Sequence, residues 1–338
     1  MDIPRELDLT RSTKSILLLG PRQTGKTWLL RHSLPDAPYY NLLHAETFLR
    51  LSTRPGSLRE ELLALRPQGP VVIDEIQKLP ILLDEIQAMI DELGLRFVLT
   101  GSSARKLKRS GTNLLGGRAR VRHLHPLVSS EIGKLDLPRR LAWGSLPSVH
   151  LSDDPWDDLR SYCGTYLQQE IADEGLSRRI DAFARFLRVA AIMSGELLNF
   201  EALASDAAVP ARTIREYYGI LADTLVGELV EPWKRGTKRR AIATGRFWFF
   251  DLGVRNALAG ERSVIPGSER WGKNLEQLVY TELRARLDYT LDDRSLCFWR
   301  TKDGREVDFV VGDDIAIEVK ATEPVSYTHL TLPTIYSV

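Results

Sequence analysis

Short apolar runs alternate with helical patterns over the first third of the chain. Ser15–Gly20, Val71–Ile73 and Arg96–Thr100 are apolar runs bounded by glycine or turn residues. Such runs are typical of strands buried on both faces of a parallel sheet. Between the second and third run, apolar residues recur at the spacing of an amphipathic helix, at Leu82, Leu83, Ile86, Met89, Ile90 and Leu93. This alternation predicts an α/β domain.

The pattern changes after about Pro138, where helical spacing dominates. Further along, the predicted elements are helices at Leu159–Glu174, Ile180–Met193 and Leu275–Leu287, and strands at Glu306–Val311 and Ile315–Val319. The fold class expected for the whole chain is therefore α/β, with a helical middle region and a second, smaller α/β part.

Helix-turn-helix spacing occurs within Asn199–Val230. Asn199 can cap a short helix, a turn follows at Ala207–Pro210, and Ala211–Leu221 forms a second helix. Exposed basic residues are predicted on the second helix and in a following hairpin or wing, at Arg212, Arg215, Lys234, Arg235, Lys238, Arg239 and Arg240. A winged helix of this kind predicts contact with DNA, and contact with another protein is the alternative.

Composition narrows the class of protein. Lys plus Arg number 46 and Asp plus Glu 45, which gives a net charge of +1 and excludes binding to nucleic acid through bulk charge. Cys163 and Cys297 fit neither a zinc site nor a disulfide scaffold. The first ten residues lack the basic start and apolar run of a signal peptide, and no apolar stretch is long enough for a membrane span. We expect a cytoplasmic protein without membrane contact.

A complete GxxxxGK[ST] motif directly follows the first predicted strand and opens a helix. It consists of Gly20, Pro21, Arg22, Gln23, Thr24, Gly25, Lys26 and Thr27. The backbone N–H groups of such a P-loop surround phosphates, its lysine reaches the β- and γ-phosphates, and its hydroxyl binds Mg²⁺. The motif predicts ATP and Mg²⁺ as cofactors.

Two acids end the second strand, in the pattern called Walker B. Asp74 is expected to hold Mg²⁺, and Glu75 to orient the attacking water. Thr100 or Ser102, after the third strand, either contacts the γ-phosphate or caps a turn. Arg118 is either an arginine finger, supplied in cis or by a neighbouring subunit of a homo-oligomer, or part of a solvated edge strand.

These residues carry a resemblance to a known family. The P-loop, VIDEIQKLP, LTGSSARKL and GGRARVRHLHPL together resemble a prokaryotic AAA-type ATPase family, over about Arg11 to Pro324. The resemblance implies ATP binding and hydrolysis, a helical lid, a winged-helix region and a C-terminal domain that was formerly of unknown function.

Charged residues near the C-terminus form a second candidate site. Asp308, Glu318 and Lys320 lie on the two last predicted strands, and Glu276 lies on the preceding helix. Since residues i and i+2 of a strand share a face, the carboxylates of Glu276, Asp308 and Glu318 are expected to converge on Mg²⁺ beside Lys320. This arrangement resembles the PD-(D/E)xK nuclease core. The alternative is a hairpin with alternating surface charges.

The predicted domains are an AAA-type core at 1–135, a helical lid or linker at 136–195, a winged helix at 196–245 and a nuclease-like domain at 246–325. Residues 326–338 resemble translated adapter sequence, so we expect a non-native tail and an incomplete last domain.

Two functions remain open at this point. The first is an ATPase that acts on DNA through the winged helix and the nuclease-like domain. The second is an ATP-dependent regulatory switch or protein-interaction module whose nuclease-like domain is inactive.

Overall fold

The computed structural model describes residues 3–102, 115–166, 180–234, 244–301 and 303–321 of the 338-residue chain. The chain forms two compact units. The N-terminal unit extends to His125 and includes Asp223–Leu225, and the C-terminal unit comprises Pro126–Ala222 and the residues from Val226 onward.

A five-stranded sheet forms the centre of the N-terminal unit. Its strands are β1 (Ser15–Leu19), β2 (Tyr39–Asn41), β3 (Val71–Asp74), β4 (Phe97–Gly101) and β5 (Ala119–His123). They are all parallel, in the order β2-β3-β4-β1-β5. Every residue of β1, β3 and β4 is buried, because helices cover both faces of a parallel sheet. The predicted parallel α/β sheet is confirmed.

In the described part of this unit, the strands are connected by α1 (Lys26–Ser33), α2 (Ala45–Thr53), α3 (Ser57–Leu65), a 3-10 turn at Ile76–Lys78 and α4 (Leu82–Leu93). The predicted amphipathic helix is α4, which buries Leu82, Leu83, Ile86 and Met89. It ends at Gly94, whose φ of 64° is the left-handed conformation that terminates many helices.

Helices dominate the C-terminal unit. They are α5 (Ser129–Ile132), α6 (Leu137–Trp143), α7 (Pro147–His150), α8 (Pro155–Ser161), α9 (Ile180–Ile192), α10 (Phe200–Ala207), α11 (Ala211–Asp223), α12 (Leu252–Ala259) and α13 (Glu269–Thr290). Asn199 caps α10 as predicted, since its side chain accepts hydrogen bonds from two N–H groups of the first turn. The helix predicted at Leu159–Glu174 begins earlier and continues as a π-helical turn at Tyr162–Tyr166; residues 167–174 lie outside the described ranges.

Two antiparallel sheets complete this unit. The first pairs β6 (Gly227–Val230) with β7 (Arg246–Phe249), and the second has the order β10-β9-β8, formed by Leu296–Arg300 (β8), Glu306–Val311 (β9) and Ile315–Ile317 (β10). The last strand is two residues shorter than predicted. The wing residues Arg235, Lys238, Arg239 and Arg240 lie outside the described residues.

Aromatic side chains join the helices of this unit to β7. Ring centroids are 4.9 Å apart between Phe186 and Tyr218, and 4.8 Å apart between Tyr218 and Phe247. The next helix, α12, packs against α6 and α9. Residues 246–259 therefore share a core with the helical region, although the sequence pattern grouped them with the C-terminal strands.

Close packing at Gly253 generates the first testable prediction. A Cβ atom there would lie 2.0 Å from the carbonyl oxygen of Trp143, whereas a Cβ atom at Gly219, in α11, would have no neighbour within 4 Å. Gly253→Ala should lower the free energy of unfolding by about 1–3 kcal/mol, because the backbone at Trp143 must move to make room for the added methyl group. Gly219→Ala should raise it by up to about 1 kcal/mol through helix propensity. Urea unfolding of both variants checks this, and equal stability of the two would contradict it.

Candidate functional site

The P-loop joins β1 to α1, in the strand–loop–helix context that the motif requires. A Cβ atom at Gly20 would lie 2.5 Å from the carbonyl oxygen of Leu124, so only glycine fits there. Gly25 precedes α1 with a φ of 91°, a conformation that other residues rarely adopt. Both motif glycines are therefore explained by local backbone geometry.

Side chains of the loop turn inward on its own carbonyl groups. The Lys26 ammonium, 6% exposed, donates to the oxygens of Gly20 at 2.7 Å and Pro21 at 2.9 Å. The Thr24 hydroxyl donates to the oxygen of Pro21 at 2.8 Å. An ammonium group at this position is suited to bind an anion, because charge-assisted hydrogen bonds are the stronger ones. The loop is chemically suited to phosphates.

Arg5, which belongs to no sequence motif, supports the P-loop. Its guanidinium donates to the carbonyl oxygen of Thr24 and, at 2.7 Å, to that of His125. The residue precedes the motif by 15 positions and belongs to no element. No local pattern could have indicated this contact.

The Asp74 carboxylate lies at the end of β3 and is 1% exposed. Its Oδ2 atom accepts a hydrogen bond from the Thr27 hydroxyl at 2.9 Å, which connects the P-loop to the Walker B strand. Its Oδ1 atom accepts from the Thr100 hydroxyl. The same hydroxyl accepts from the N–H of Glu75 at 2.9 Å. Thr100 therefore links the Asp74 carboxylate to the backbone of Glu75. Its contact with the γ-phosphate stays a prediction.

Tyr39 also contacts Asp74, although the sequence analysis did not single it out. Its phenolic hydroxyl donates to Oδ2, the atom that Thr27 contacts. Burial and the neighbouring carboxylate raise the pKa of Tyr39 well above its usual value, so that the hydroxyl keeps its proton and remains a donor. The pairing of β2 with β3, which the apolar pattern did not show, is what brings this residue to the site.

Glu75 follows β3 with a φ of 64°, which is uncommon for a residue with a side chain. Its carboxylate accepts a hydrogen bond from the Gln77 amide, and that amide also donates to the Ser102 hydroxyl at 3.1 Å. Gln77 and Ser102 thus hold the acid beside the ends of β3 and β4. Strained backbone of this kind occurs preferentially at functional sites.

Arg118 lies at the opposite edge of the sheet. It precedes β5, whose first residue, Ala119, pairs with Ser15 at the start of β1, whereas the P-loop follows the end of β1. The guanidinium donates to Asp91 at 2.6 Å. Five residues of strand span roughly 16 Å, so Arg118 does not reach the P-loop within this unit. The in cis arginine finger is therefore wrong, and a finger supplied by a neighbouring subunit stays a prediction.

The site provides suitable ligands for Mg²⁺. The oxygen atoms of Thr27 and Asp74 lie together beside the loop that contains Lys26. Magnesium prefers hard oxygen ligands and usually takes one or two carboxylates, together with water and phosphate oxygens. The side chains expected from the sequence to hold the metal are thus brought together.

The C-terminal acids do not converge as predicted. Within the described residues, no group of three or more His, Cys, Asp or Glu side chains is arranged to hold a metal ion. Glu318 lies beyond the end of β10 and pairs with Lys320 at 3.3 Å, with both side chains mostly exposed. Asp308 is 8% exposed and accepts a hydrogen bond from the N–H of Val319 at 2.7 Å. The three-carboxylate metal site is a wrong prediction, because the strand ends before Glu318.

A buried guanidinium lies near two of these acids. Arg246, at the start of β7, is 4% exposed and donates to Glu306 at 2.9 Å. Burial and the nearby Asp308 raise the pKa of Glu276 to about 7, and the positive charge of Arg246 opposes this shift. Burial also raises the pKa of Asp308, against the Val319 hydrogen bond and Arg246. The charge of Arg246 thus lowers the pKa of both acids, but burial has the larger effect.

Two helices, α10 and α11, lie where the helix-turn-helix spacing places them, and the antiparallel pair of β6 and β7 follows them in sequence. That they form a DNA-binding winged helix stays a prediction. Arg212 and Arg215 are exposed on α11. Arg212 pairs with Glu216 at 3.4 Å, and the guanidinium of Arg215 lies 4.6 Å from the centre of the Phe200 ring. Both arginines are accessible from solvent.

Comparisons with known families divide the chain into three parts. Residues 12–133 match a family model described as an AAA domain. Residues 134–264 and 271–331 match models described as domains of unknown function, DUF8612 and DUF4143. The N-terminal unit is therefore an AAA-type domain with a P-loop. The second match ends after α12, and the third begins in the first turn of α13.

Whole-chain relatives have no described function. Uncharacterized proteins of Mycobacterium bovis and Mycobacterium tuberculosis are both 28% identical to this chain over 320 residues, which is 91% of the chain and 70% of each relative.

Two solved structures are weakly similar. The Aeropyrum pernix ORC1 protein in complex with DNA is 18% identical, with 73% of this chain and 87% of that chain covered and a TM-score of 0.27. A Signal Transduction ATPase with Numerous Domains from Pyrococcus horikoshii, which has a tetratricopeptide repeat sensor, is 16% identical, with 84% of this chain and 49% of that chain covered and a TM-score of 0.24.

Among the helices of the described ranges, none has the length and apolar character needed to cross a membrane.

The raised pKa of Glu276 generates a second prediction. Its pKa of about 7 exceeds the ordinary value of 4.5, so the folded protein keeps this proton at pH values where the unfolded chain loses it. Stability should therefore fall as pH rises from about 4.5 to about 7. Glu276→Gln removes this titration. Relative to wild type, its free energy of unfolding should therefore rise by roughly 1–2 kcal/mol when the pH is raised from about 5 to about 8, a figure that allows for solvent screening. Urea unfolding at both pH values measures the gain, and a difference that is independent of pH refutes the assignment.

Proposed function

We propose that this protein binds ATP with Mg²⁺ and hydrolyses it. The observation that carries the proposal is the 2.9 Å hydrogen bond between Thr27 of the P-loop and Asp74 of the Walker B strand. It unites the two motifs at one edge of the sheet, next to a buried lysine. The match of residues 12–133 to an AAA domain supports the same activity.

The roles of the residues follow from their placement. Lys26 would exchange its contacts with the carbonyl groups of Gly20 and Pro21 for contacts with β- and γ-phosphate oxygens. Thr27 and Asp74 would hold Mg²⁺, which neutralises charge on the β- and γ-phosphates when it is bound. Glu75 would turn from Gln77 towards a water molecule and accept its hydrogen bond, which orients the water for in-line attack.

A neighbouring subunit is part of this proposal. Because Arg118 lies at the far edge of the sheet, it serves the γ-phosphate only from a second copy of the chain, after leaving Asp91. A homo-oligomer in which one copy completes the site of the next would supply it in that way.

DNA is a second candidate ligand, and the helix-turn-helix order of α10 and α11 favours it. Arg212 and Arg215 on α11 would contact the DNA, and the basic residues between β6 and β7 would add phosphate contacts. The buried Arg246 beside Asp308 and Glu276 favours binding over cleavage for the nuclease-like part, as in the regulatory alternative. Turnover that DNA stimulates would support action on DNA, and turnover that depends only on protein concentration would support the switch.

Two variants test the ATPase proposal. Lys26→Ala should abolish turnover and weaken ATP binding strongly, because this ammonium is the cation within the loop that reaches the β- and γ-phosphates. Glu75→Gln should keep ATP binding, since Thr27 and Asp74 are intact, and lower turnover by about 10²-fold or more. Phosphate release and binding of a fluorescent ATP analogue measure the two effects.

A matched lysine serves as the control. Lys14 is exposed and donates to Gly117, at the edge of the sheet away from the P-loop, so Lys14→Ala should behave like wild type. Turnover that is equal in wild type, Lys26→Ala and Glu75→Gln would show that the site does not hydrolyse ATP.

The DNA proposal makes a separate prediction. Alanine at both Arg212 and Arg215 should weaken binding of duplex DNA and reduce its salt dependence, because fewer counterions are released per complex. Replacing Lys238, Arg239 and Arg240 with alanine should weaken binding uniformly across DNA sequences. Fluorescence anisotropy across a salt series measures both. Unchanged affinity and slope in both variants would point to a protein partner instead.

A further inference from the structure

Two hydroxyl groups share one oxygen of Asp74. Thr27 and Tyr39 both donate to Oδ2, while Thr100 donates to Oδ1. A carboxylate oxygen has about two lone pairs, so two donors saturate Oδ2. Anything further that binds this atom must displace one of the two hydroxyl groups.

The Tyr39 contact follows from the strand register. Tyr39 is opposite Val72, two residues before Asp74, in the parallel pair of β2 and β3. Because paired residues and residues two apart share a face, Tyr39 and Asp74 lie on the same face of the sheet. The length of a tyrosine side chain then carries its hydroxyl along the strand to the carboxylate. A shorter residue at this position would leave Oδ2 to Thr27.

The helix that follows the P-loop lies on the same face. The guanidinium of Arg31 is 5.6 Å from the centre of the Tyr39 ring, and Thr27 lies one helical turn before Arg31. Tyr39 is half-buried rather than part of the apolar core. Its ring can therefore move without opening a core cavity.

Only one of the two donors is free to leave. The oxygen of Thr27 can bind a metal ion through a lone pair while its O–H group still donates a hydrogen bond to Asp74. Tyr39 belongs to no nucleotide-binding motif, and its hydroxyl shares Oδ2 with the hydroxyl of Thr27, the other proposed metal ligand. We propose that the Tyr39–Asp74 hydrogen bond is autoinhibitory: it closes the metal-facing oxygen of Asp74 and must break before Mg²⁺ joins the bound nucleotide.

This inference rests on the proposed ATP site and adds a regulatory residue to it. The hydrogen bond opposes binding of ATP with Mg²⁺, whereas binding of ATP alone, which depends on the loop and Lys26, does not require it to break. Tyr39 is a positioning residue in this scheme and takes no part in the transfer of the phosphoryl group.

The test is Tyr39→Phe, with Tyr40→Phe as the matched control. Tyr40 is the next residue of β2, faces the opposite side of the sheet and packs in the core of the N-terminal unit. The same atom is removed in both variants. Binding of a fluorescent ATP analogue is measured for each variant, for wild type and for Lys26→Ala, with excess Mg²⁺ and with EDTA.

Tyr39→Phe should tighten binding in Mg²⁺ by about tenfold, since a hydrogen bond to a carboxylate no longer has to break. Its affinity in EDTA should change by less than about twofold, and the Mg²⁺ concentration for half-saturation should fall. Tyr40→Phe should match wild type in both conditions. Mg²⁺-dependent affinity that is unchanged or weaker in Tyr39→Phe overturns the inference, because Tyr39 would then orient Asp74 for the metal. If wild type and Lys26→Ala both fail to bind ATP, the proposed function fails as well.

Discussion

The Asp74 carboxylate is the point on which the nucleotide site depends. A buried carboxylate costs several kcal/mol unless hydrogen bonds compensate the loss of water. Here the donors come from three different elements: Thr27 from α1, Tyr39 from β2 and Thr100 from β4. They meet because the strands are parallel, so that β3 and β4 end beside the P-loop, while the long side chain of Tyr39 reaches there from the start of β2. The position of this carboxylate therefore depends on the order of the strands, and the site exists only in the complete sheet.

In the N-terminal unit, the buried strands β1, β3 and β4 and the helices α1 and α4 could be predicted from sequence, whereas the order of the strands could not. Continuous apolar runs indicate buried strands, and the P-loop has a strict local pattern. Nothing local shows that β4 inserts between β1 and β3, which is what brings Thr100 to Asp74. For the same reason Tyr39 was missed, since its role depends on the pairing of a three-residue strand. The residues of the motif were predictable, and the residues that position it were not.

In the C-terminal unit, the lack of information on spatial arrangement led to a wrong prediction, the metal site, instead of a missed residue. The two-residue periodicity correctly predicts β9, but it gives no information on where the next strand ends. Since β10 ends at Ile317, Glu318 is exposed beside Lys320, while Asp308 is buried. Arg246 comes from a strand about 60 residues earlier in the sequence and pairs with Glu306 beside Asp308. In the folded chain, Asp308 is therefore buried near Arg246, whereas Glu318 forms a surface ion pair with Lys320.

In the C-terminal unit, hydrogen bonds of buried polar side chains determine the relative positions of helices, which the aromatic core alone does not specify. The last carbonyl groups of a helix have no partner within it. At the end of α6, the oxygen of Leu141 accepts hydrogen bonds from Asn256 and Asn274 at 2.9 Å each. Arg255, 1% exposed, donates to both asparagines and to the oxygen of Ala191 in α9. Aromatic and aliphatic contacts tolerate small shifts of one helix along another, but these directional bonds do not. They therefore set α6, α9, α12 and α13 in one relative position, which apolar packing alone would not specify.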